Sequence, residues 1–195
     1  MRLLACAGQL RQGKDVTADY LAKRLGWGRG SFASNVKRIF CETFGVDLDF
    51  IEKWKTVSEP PPGFKIPVRQ ALQFIGDGFR SIKDEIWIEM LLRIDHKSLI
   101  ISDVRYKNEL LAVRERGGKN ILIYRPGFIN NDPNDSESQI REFVEYFLKE
   151  GIEGRVNCST GDFGLVDFFL VNDGSLDQLY SKIDDLILPF LEFSN

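Results

Sequence analysis

Apolar residues fall along this chain in two rhythms, short unbroken runs and helical stripes, and the two alternate. Leu3-Leu4-Ala5-Cys6-Ala7, Leu99-Ile100-Ile101, Ile121-Leu122-Ile123-Tyr124 and the four residues after Asp167 in the last expected strand, 167–171, are the runs. Strands with no polar alternation are buried on both faces, as in parallel sheets. Residues 15–24 carry Tyr20 and Leu21, with Leu25 just beyond, at helical spacing. Residues 34–44 place Val36, Ile39, Phe40 and Phe44 on one stripe and stop at Gly45. Residues 67–75 open a helix with proline in its first turn, and Asp77-Gly78 is expected to break it. Further helices are expected over 83–94, 108–115, 138–150 and 175–188. Residues 59–63 (Glu-Pro-Pro-Pro-Gly) and the acidic stretch 130–137 read as loops.

This alternation predicts an α/β fold: a three-layer parallel sheet with helices on both faces, which the loop at residues 8–15, described below, makes P-loop NTPase-type. The 195 residues suffice for a single domain. In such sheets ligands lie at the carboxyl ends of the strands. That rule gathers residues 8–15, Asp103, Arg105, Arg125, Asn172 and Asp173 onto one edge, although the chain separates them.

Composition narrows the partners. Net charge is −3, without the basic footprint of a protein that grips a nucleic-acid polymer. No apolar run approaches the roughly twenty residues of a membrane span, and no signal-peptide pattern is present, so a cytoplasmic location is expected. The three cysteines, Cys6, Cys41 and Cys158, are widely spaced and read as reduced thiols. His96 is the only histidine and lies in a polar turn, where a surface role is expected. Near the end, Leu186, Phe190 and Phe193 fit either core or a homodimer interface.

The chemistry sits between the first run and the first stripe. Residues 8–15 read Gly-Gln-Leu-Arg-Gln-Gly-Lys-Asp, a phosphate-binding loop with Asp15 where the usual pattern has Ser or Thr. Glycines let backbone N–H groups turn inward around phosphate oxygens, and the helix N-terminus adds positive potential. Gly8, Gln9, Leu10, Arg11, Gln12, Gly13 and Lys14 are expected around a nucleotide, with Asp15, Val16 and Thr17 following. A carboxylate is also a hard-oxygen ligand, so Asp15 is expected to hold Mg²⁺, directly or through water, with Thr17 as a second polar group. Asp103 ends a hydrophobic run in the manner of a Walker-B carboxylate and is a second metal or proton-accepting candidate. Arg105, Arg80, Arg69 and Lys37 are candidate phosphate-binding cations.

Taken together, these residues resemble the deoxynucleoside monophosphate kinases of tailed bacteriophages, within the P-loop kinase group. The resemblance rests on the loop with Asp15 followed by Thr17-Ala18-Asp19, on Ser31-Phe-Ala-Ser-Asn-Val-Lys37, and on Arg69-Gln-Ala-Leu-Gln-Phe-Ile-Gly76. Arg80 with Trp87, Asp103-Val-Arg-Tyr-Lys-Asn-Glu109 and Asn172-Asp173-Gly174 complete it. It implies transfer of the ATP γ-phosphate to a deoxynucleoside 5′-monophosphate, with Mg²⁺. It implies Lys14 on the β- and γ-phosphates, and Lys14, Asp15, Arg80, Asp103 and Arg105 as the catalytic set. Phe32, Lys37, Arg69, Gln73, Arg80, Trp87, Asp103, Arg105, Asn108 and Glu109 would contact the acceptor, and Asn172 would lie near adenine. A substrate-binding segment is expected over about 31–95 and a lid-like insertion over about 126–164, with Arg125, Arg141 and Arg155 as lid-arginine candidates. One departure is Asn134-Asp135-Ser136-Glu137, where the family carries His-x-Ser-Glu. The loop and fold alone also fit a kinase for another small phosphorylated acceptor, or a nucleotide-binding module without catalysis.

Overall fold

The computed structural model describes residues 2–93, 97–128, 135–158 and 161–191. Its elements, in chain order, are β1 (Arg2–Ala7), α1 (Lys14–Leu25), β2 (Gly28–Gly30), α2 (Phe32–Phe44), α3 (Leu48–Trp54), α4 (Val68–Ile82) and α5 (Ile86–Leu92). They continue with β3 (Ser98–Val104), α6 (Lys107–Glu115), β4 (Lys119–Tyr124), α7 (Asp135–Lys149), β5 (Gly154–Arg155), β6 (Phe168–Val171) and α8 (Leu176–Leu186). Single 3₁₀ turns cover Asp162–Leu165 and Leu188–Phe190. The chain divides into two compact units, residues 1–30 with 95–195, and residues 31–94.

The larger unit is a six-stranded sheet in the order β2-β3-β1-β4-β6-β5. The first five strands run parallel; β5 joins the edge antiparallel to β6. Leu3 to Ala7 are all sealed from solvent, which is why β1 reads as a continuous apolar run. Leu4, Cys6, Ile100, Ile121, Ile123, Phe168 and Leu170 pack against Ala18 and Leu21 of α1 and Leu179 and Ile183 of α8. The opposite face carries Phe169, 5.3 Å from the Phe147 ring of α7. Beside α6, Gly118 comes so close to Leu3 and Val113 that a Cβ there would stand 2.8 Å from the Leu3 Cβ. The sheet is therefore covered on both faces, as its patterning requires.

Asn120 fixes the α6 side of this unit. It is fully buried, and its amide donates to the carbonyls of Leu110 (2.9 Å) and Leu165 (2.8 Å). Its backbone N–H donates to Asp167 at 2.9 Å, and Asp167 also accepts from Arg114 at 2.9 Å.

In the 31–94 unit, Ser31 caps α2 by accepting from the Ser34 N–H, and Asp47 caps α3 through the Phe50 N–H at 2.8 Å. Phe40, Ile51, Val68 and Ala71 form its core, with Phe50, Trp54 and Phe64 packed around them.

The structure departs from the expected elements in particular places. The expected break at Asp77-Gly78 is absent, because α4 runs unbroken from Val68 to Ile82. Two glycines cost a helix interior about 1 kcal/mol each. Here tertiary packing offsets that: Trp87 is 1% exposed and its indole N–H donates to the Gly76 carbonyl at 3.0 Å. α5 is shorter than expected, with a turn over 83–85, and Ile94 and His96 lie outside the described residues. β3 continues through Ser102 and Asp103 to Val104, carried by its pairing with β1. α7 starts at Asp135, inside the stretch expected to be loop. β2, α3 and β5 had no expectation. α8 stops at Leu186, and the 3₁₀ turn with Pro189 follows, where proline supplies no N–H for a continuing helix. Among the described residues, no helix is long and apolar enough to cross a membrane. Leu186 packs against the core, Phe190 is 42% exposed, and Phe193 lies outside the described residues.

Candidate active site

The loop between β1 and α1 owes its shape to three residues in left-handed or related backbone conformations: Gly8 (φ 151°), Arg11 (φ 62°) and Gly13 (φ 103°). Arg11 is the only non-glycine residue with positive φ among those described. Two glycines are also demanded by proximity. A Cβ on Gly8 would stand 2.6 Å from the Ile123 carbonyl oxygen, and one on Gly13 2.6 Å from Asn172 Nδ2. Gly13 is the N-cap of α1, and no side chain caps the helix there. The first turn therefore points backbone N–H groups toward the loop, an arrangement suited to an anion.

Lys14 is the first residue of α1. It is only 6% exposed, and its ammonium donates to the Gln9 carbonyl at 2.6 Å, across the loop. The loop thus closes on its own lysine. Gln9 and Gln12 are buried, Leu10 and Val16 half-buried, and Arg11 exposed. Thr17, expected as a polar group beside the metal, is fully buried, and its hydroxyl has no hydrogen-bond partner. Asp15 faces solvent, with its side chain 76% exposed, and is ion-paired to Arg29. Arg29 also pairs with Asp19, one turn along α1. Arg29 carried no expectation. It sits on a Gly-Arg-Gly edge strand with no apolar pattern, and only the sheet brings it to α1.

Sheet register brings the strand ends together. Ala7 pairs with Val104, Ala7 also with Leu122, and Tyr124 with Val171. The carboxyl ends of β1, β3, β4 and β6 are therefore neighbours, and Gly8, Arg105, Arg125 and Asn172 each begin the chain leaving one of them. Asp103 is half-buried in the last turn of the β3 pleat. Glu109, expected to contact the acceptor, lies in the first turn of α6. It is 3% exposed, and its Oε2 accepts from the backbone N–H groups of Arg105 (2.8 Å) and Tyr106 (3.1 Å). It shapes the turn that presents Arg105. Asn108 is exposed on α6.

Asn172 is 8% exposed. Its side-chain amide donates to the Gln12 carbonyl at 3.0 Å, and its backbone N–H donates to the Tyr124 carbonyl at 2.7 Å. Asn172, expected near adenine, thus ties the end of β6 to the phosphate loop. Next to it, the Lys182 ammonium, 2.9 Å away, lowers the carboxyl of Asp173 below its ordinary value. Of the three lid candidates, Arg125 leaves the strand ends and lies over the Phe128 ring at 4.4 Å. Arg155 lies over the Phe190 ring at 5.7 Å, and Arg141 is half-buried on α7.

In the 31–94 unit, the unbroken α4 joins residues that an interrupted helix would scatter. Arg69, Gln73, Gly76 and Arg80 fall at helical spacing on one stripe, and a Cβ on Gly76 would lie 3.5 Å from Arg80 Nη1. Arg80 pairs with Asp77 at 3.3 Å. Lys37 donates to Glu52 at 2.8 Å; Lys37 and Lys55 together hold the Glu52 carboxyl below its ordinary value. Phe32 and Trp87 were expected to touch the acceptor, but both are core residues here, at 3% and 1% exposure.

Cys6 lies under the loop, wholly buried, and burial pushes its thiol up to about 12 against the opposing pull of Lys14 and Arg29. Only the thiolate is a nucleophile. Cys6 is therefore expected to stay unmodified by a thiol reagent at pH 8 in the folded protein and to react once the chain is unfolded in urea. Labelling of Cys6 at the rate of the half-buried Cys41, read by peptide mass spectrometry, would contradict that burial.

No protein-family model matches the chain. A putative deoxynucleotide monophosphate kinase of Acanthamoeba polyphaga mimivirus is 29% identical over 202 aligned positions, covering 94% of both chains. The uncharacterized protein ORF76 of Ictalurid herpesvirus 1 is 27% identical, across 93% of this chain and 72% of that protein. Both relatives are viral, and neither comes from a bacteriophage. Among solved structures, shikimate kinase from Acinetobacter baumannii superposes over 97% of this chain and 95% of its own, with TM-score 0.51 and 15% identity. Shikimate kinase from Aquifex aeolicus superposes over 94% of both chains, with TM-score 0.50 and 13% identity. The fold is thus a mostly parallel, helix-covered sheet shared with these two kinases, and the alternation of runs and stripes predicts that sheet.

Proposed function

We propose that this protein transfers the γ-phosphoryl group of ATP to a deoxynucleoside 5′-monophosphate, releasing ADP and the diphosphate. The observation that carries the donor half is the loop itself: Gly8, Arg11 and Gly13 at positive φ, ending at an uncapped helix whose first residue is Lys14. The acceptor half is supported by the run Asp103-Val-Arg-Tyr-Lys-Asn-Glu109 and by the name of the mimivirus relative.

Phosphoryl transfer asks a protein for positioning and charge neutralisation more than for covalent chemistry. An acceptor phosphate oxygen attacks the γ-phosphorus in line, and the bond to the β–γ bridging oxygen breaks, leaving ADP. Loop N–H groups hold the non-bridging oxygens. The Lys14 ammonium has three donors, and phosphate oxygens compete with the Gln9 carbonyl for it. Magnesium fits the donor set, since Asp15 offers a solvent-facing carboxylate and Asp103 a half-buried one, both hard oxygen ligands. Bound there, it would neutralise charge on the donor phosphates. Arg29 offsets the Asp15 charge beside an anion site. Arg105, presented by the Glu109-fixed turn, is assigned to the acceptor, with Asn108 one turn beyond. In the other unit, Arg69, Gln73 and Arg80 on the α4 stripe are proposed contacts for a phosphorylated acceptor, with Lys37 as a further cation.

The test is ADP release, coupled to a reporter, with Mg-ATP and each deoxy- and ribonucleoside monophosphate in turn. Turnover on one or more deoxynucleotides at least tenfold above the no-acceptor rate is expected. Silence on every nucleotide, with turnover on another phosphorylated acceptor, would replace the acceptor half of the proposal.

A further inference from the structure

We infer that Gln12 is a positioning residue that locks the phosphate loop to the 125–128 turn after β4, so that nucleotide held by the loop also fixes Arg125. The second half rests on the donor site proposed above; the first stands on geometry alone. Gln12 is 1% exposed, directly after the solvent-exposed Arg11. Both ends of its amide are used by the same turn. The side-chain oxygen accepts the Arg125 backbone N–H, and Nε2 donates to the Phe128 carbonyl at 2.9 Å. Its own main-chain carbonyl accepts from Asn172 at 3.0 Å, and Asn172 is anchored to the Tyr124 carbonyl at 2.7 Å. The residue is therefore held from side chain and backbone, to the ends of β4 and β6 at once.

The turn needs that grip. Pro126 has no N–H, Gly127 sits at φ 79°, and the internal bond from Phe128 N–H to the Arg125 carbonyl is long, at 3.4 Å. Its two ends are the two groups Gln12 holds. They are also the two partners of the cation–π contact that places the Arg125 guanidinium over the Phe128 ring at 4.4 Å. Fixing the backbone on either side of the pair fixes the cation. Gln12 stands two residues before Lys14, so ordering the loop around phosphate orders the Gln12 side chain, and with it the turn. Linkage makes this reciprocal: whatever steadies the turn also favours the nucleotide-ready loop. Glutamine suits the role chemically, because the turn presents one donor and one acceptor. Glutamate meets only the donor, and methionine, of similar length, meets neither.

The Arg125 amide proton is a direct probe, since it is the one bonded to Gln12. Its hydrogen exchange is measured by NMR with and without Mg-ADP, in wild type, Gln12→Met and Gln12→Glu. In the free protein, Arg125 is expected to exchange about tenfold slower in wild type than in Gln12→Met, one hydrogen bond's worth, with Gln12→Glu closer to wild type. Mg-ADP is expected to slow the amides of residues 8–14 in all three, and to slow Arg125 further only in wild type and Gln12→Glu. Equal Arg125 exchange in wild type and Gln12→Met overturns the lock. ADP protection of the loop without protection of Arg125 in wild type overturns the coupling, and needs no variant to fold. Failure of ADP to slow even the loop overturns the donor site, and the coupling with it, while the free-protein comparison still decides the lock.

Discussion

Replacing Lys14 with alanine is expected to lower kcat/KM for phosphoryl transfer by about 10²–10³-fold or more, the scale of losing one preorganised charge at the transition state. Lys14 opens α1 directly after Gly13, is 6% exposed, and is held across the loop by the Gln9 carbonyl at 2.6 Å. Its charge is thus already desolvated and aimed along the loop before any phosphate arrives, which is the condition under which a cation contributes most. The fold should survive the change. The lost hydrogen bond to Gln9 costs about 1 kcal/mol, and the Leu4, Cys6, Ala18 and Leu21 packing beneath is untouched. The coupled ADP-release assay gives the rate, and a thermal melt shows whether the variant is folded. A folded Lys14→Ala protein with near-normal turnover would remove the loop from the mechanism.

What the sequence reveals and what it hides divide along the range of the interactions involved. β1 is legible because every residue from Leu3 to Ala7 is sealed, so burial on both faces appears as an unbroken run. The loop is legible because backbone conformation demands glycine at fixed positions, and glycine is visible as such. The helix break expected at Asp77-Gly78 fails because local propensity is weak against packing, and the indole of Trp87, eleven residues away from Gly76, decides the matter. Trp87, which the family resemblance places at the acceptor, is 1% exposed here. β2 carries no pattern at all, because Gly28-Arg29-Gly30 becomes a strand only through its register with β3. Arg29 and the turn that Gln12 holds are invisible for the same reason. Each depends on which strand lies beside which, a fact carried by the whole sheet. Asn172 shows the limit from the other side: its place at the strand ends was readable, but its partner, the Gln12 carbonyl 160 residues earlier, was not.

Substituting Gly8 with alanine is expected to cost about 3 kcal/mol of stability, combining backbone strain and steric overlap, and to lower the melting temperature by about 6–12 °C. Gly8 has φ 151°, and its missing Cβ would lie 2.6 Å from the Ile123 carbonyl oxygen. That oxygen belongs to β4, which is paired to β1 on one side and β6 on the other, so it cannot retreat without disturbing two ladders. Gly45 supplies the control. It also has positive φ, at 64°, but a Cβ there meets nothing within 4 Å, so Gly45→Ala pays only the left-handed penalty of about 1–2 kcal/mol. The difference between the two variants isolates the contact between loop and sheet. It also bears on function, because pushing the loop off β4 moves the N–H groups proposed to hold phosphate. Mg-ADP is expected to stabilise the wild-type protein, and that stabilisation is expected to be lost in Gly8→Ala and kept in Gly45→Ala. If the two variants melt together and both still respond to Mg-ADP, the close seat of the loop against Ile123 is not what shapes the phosphate cradle.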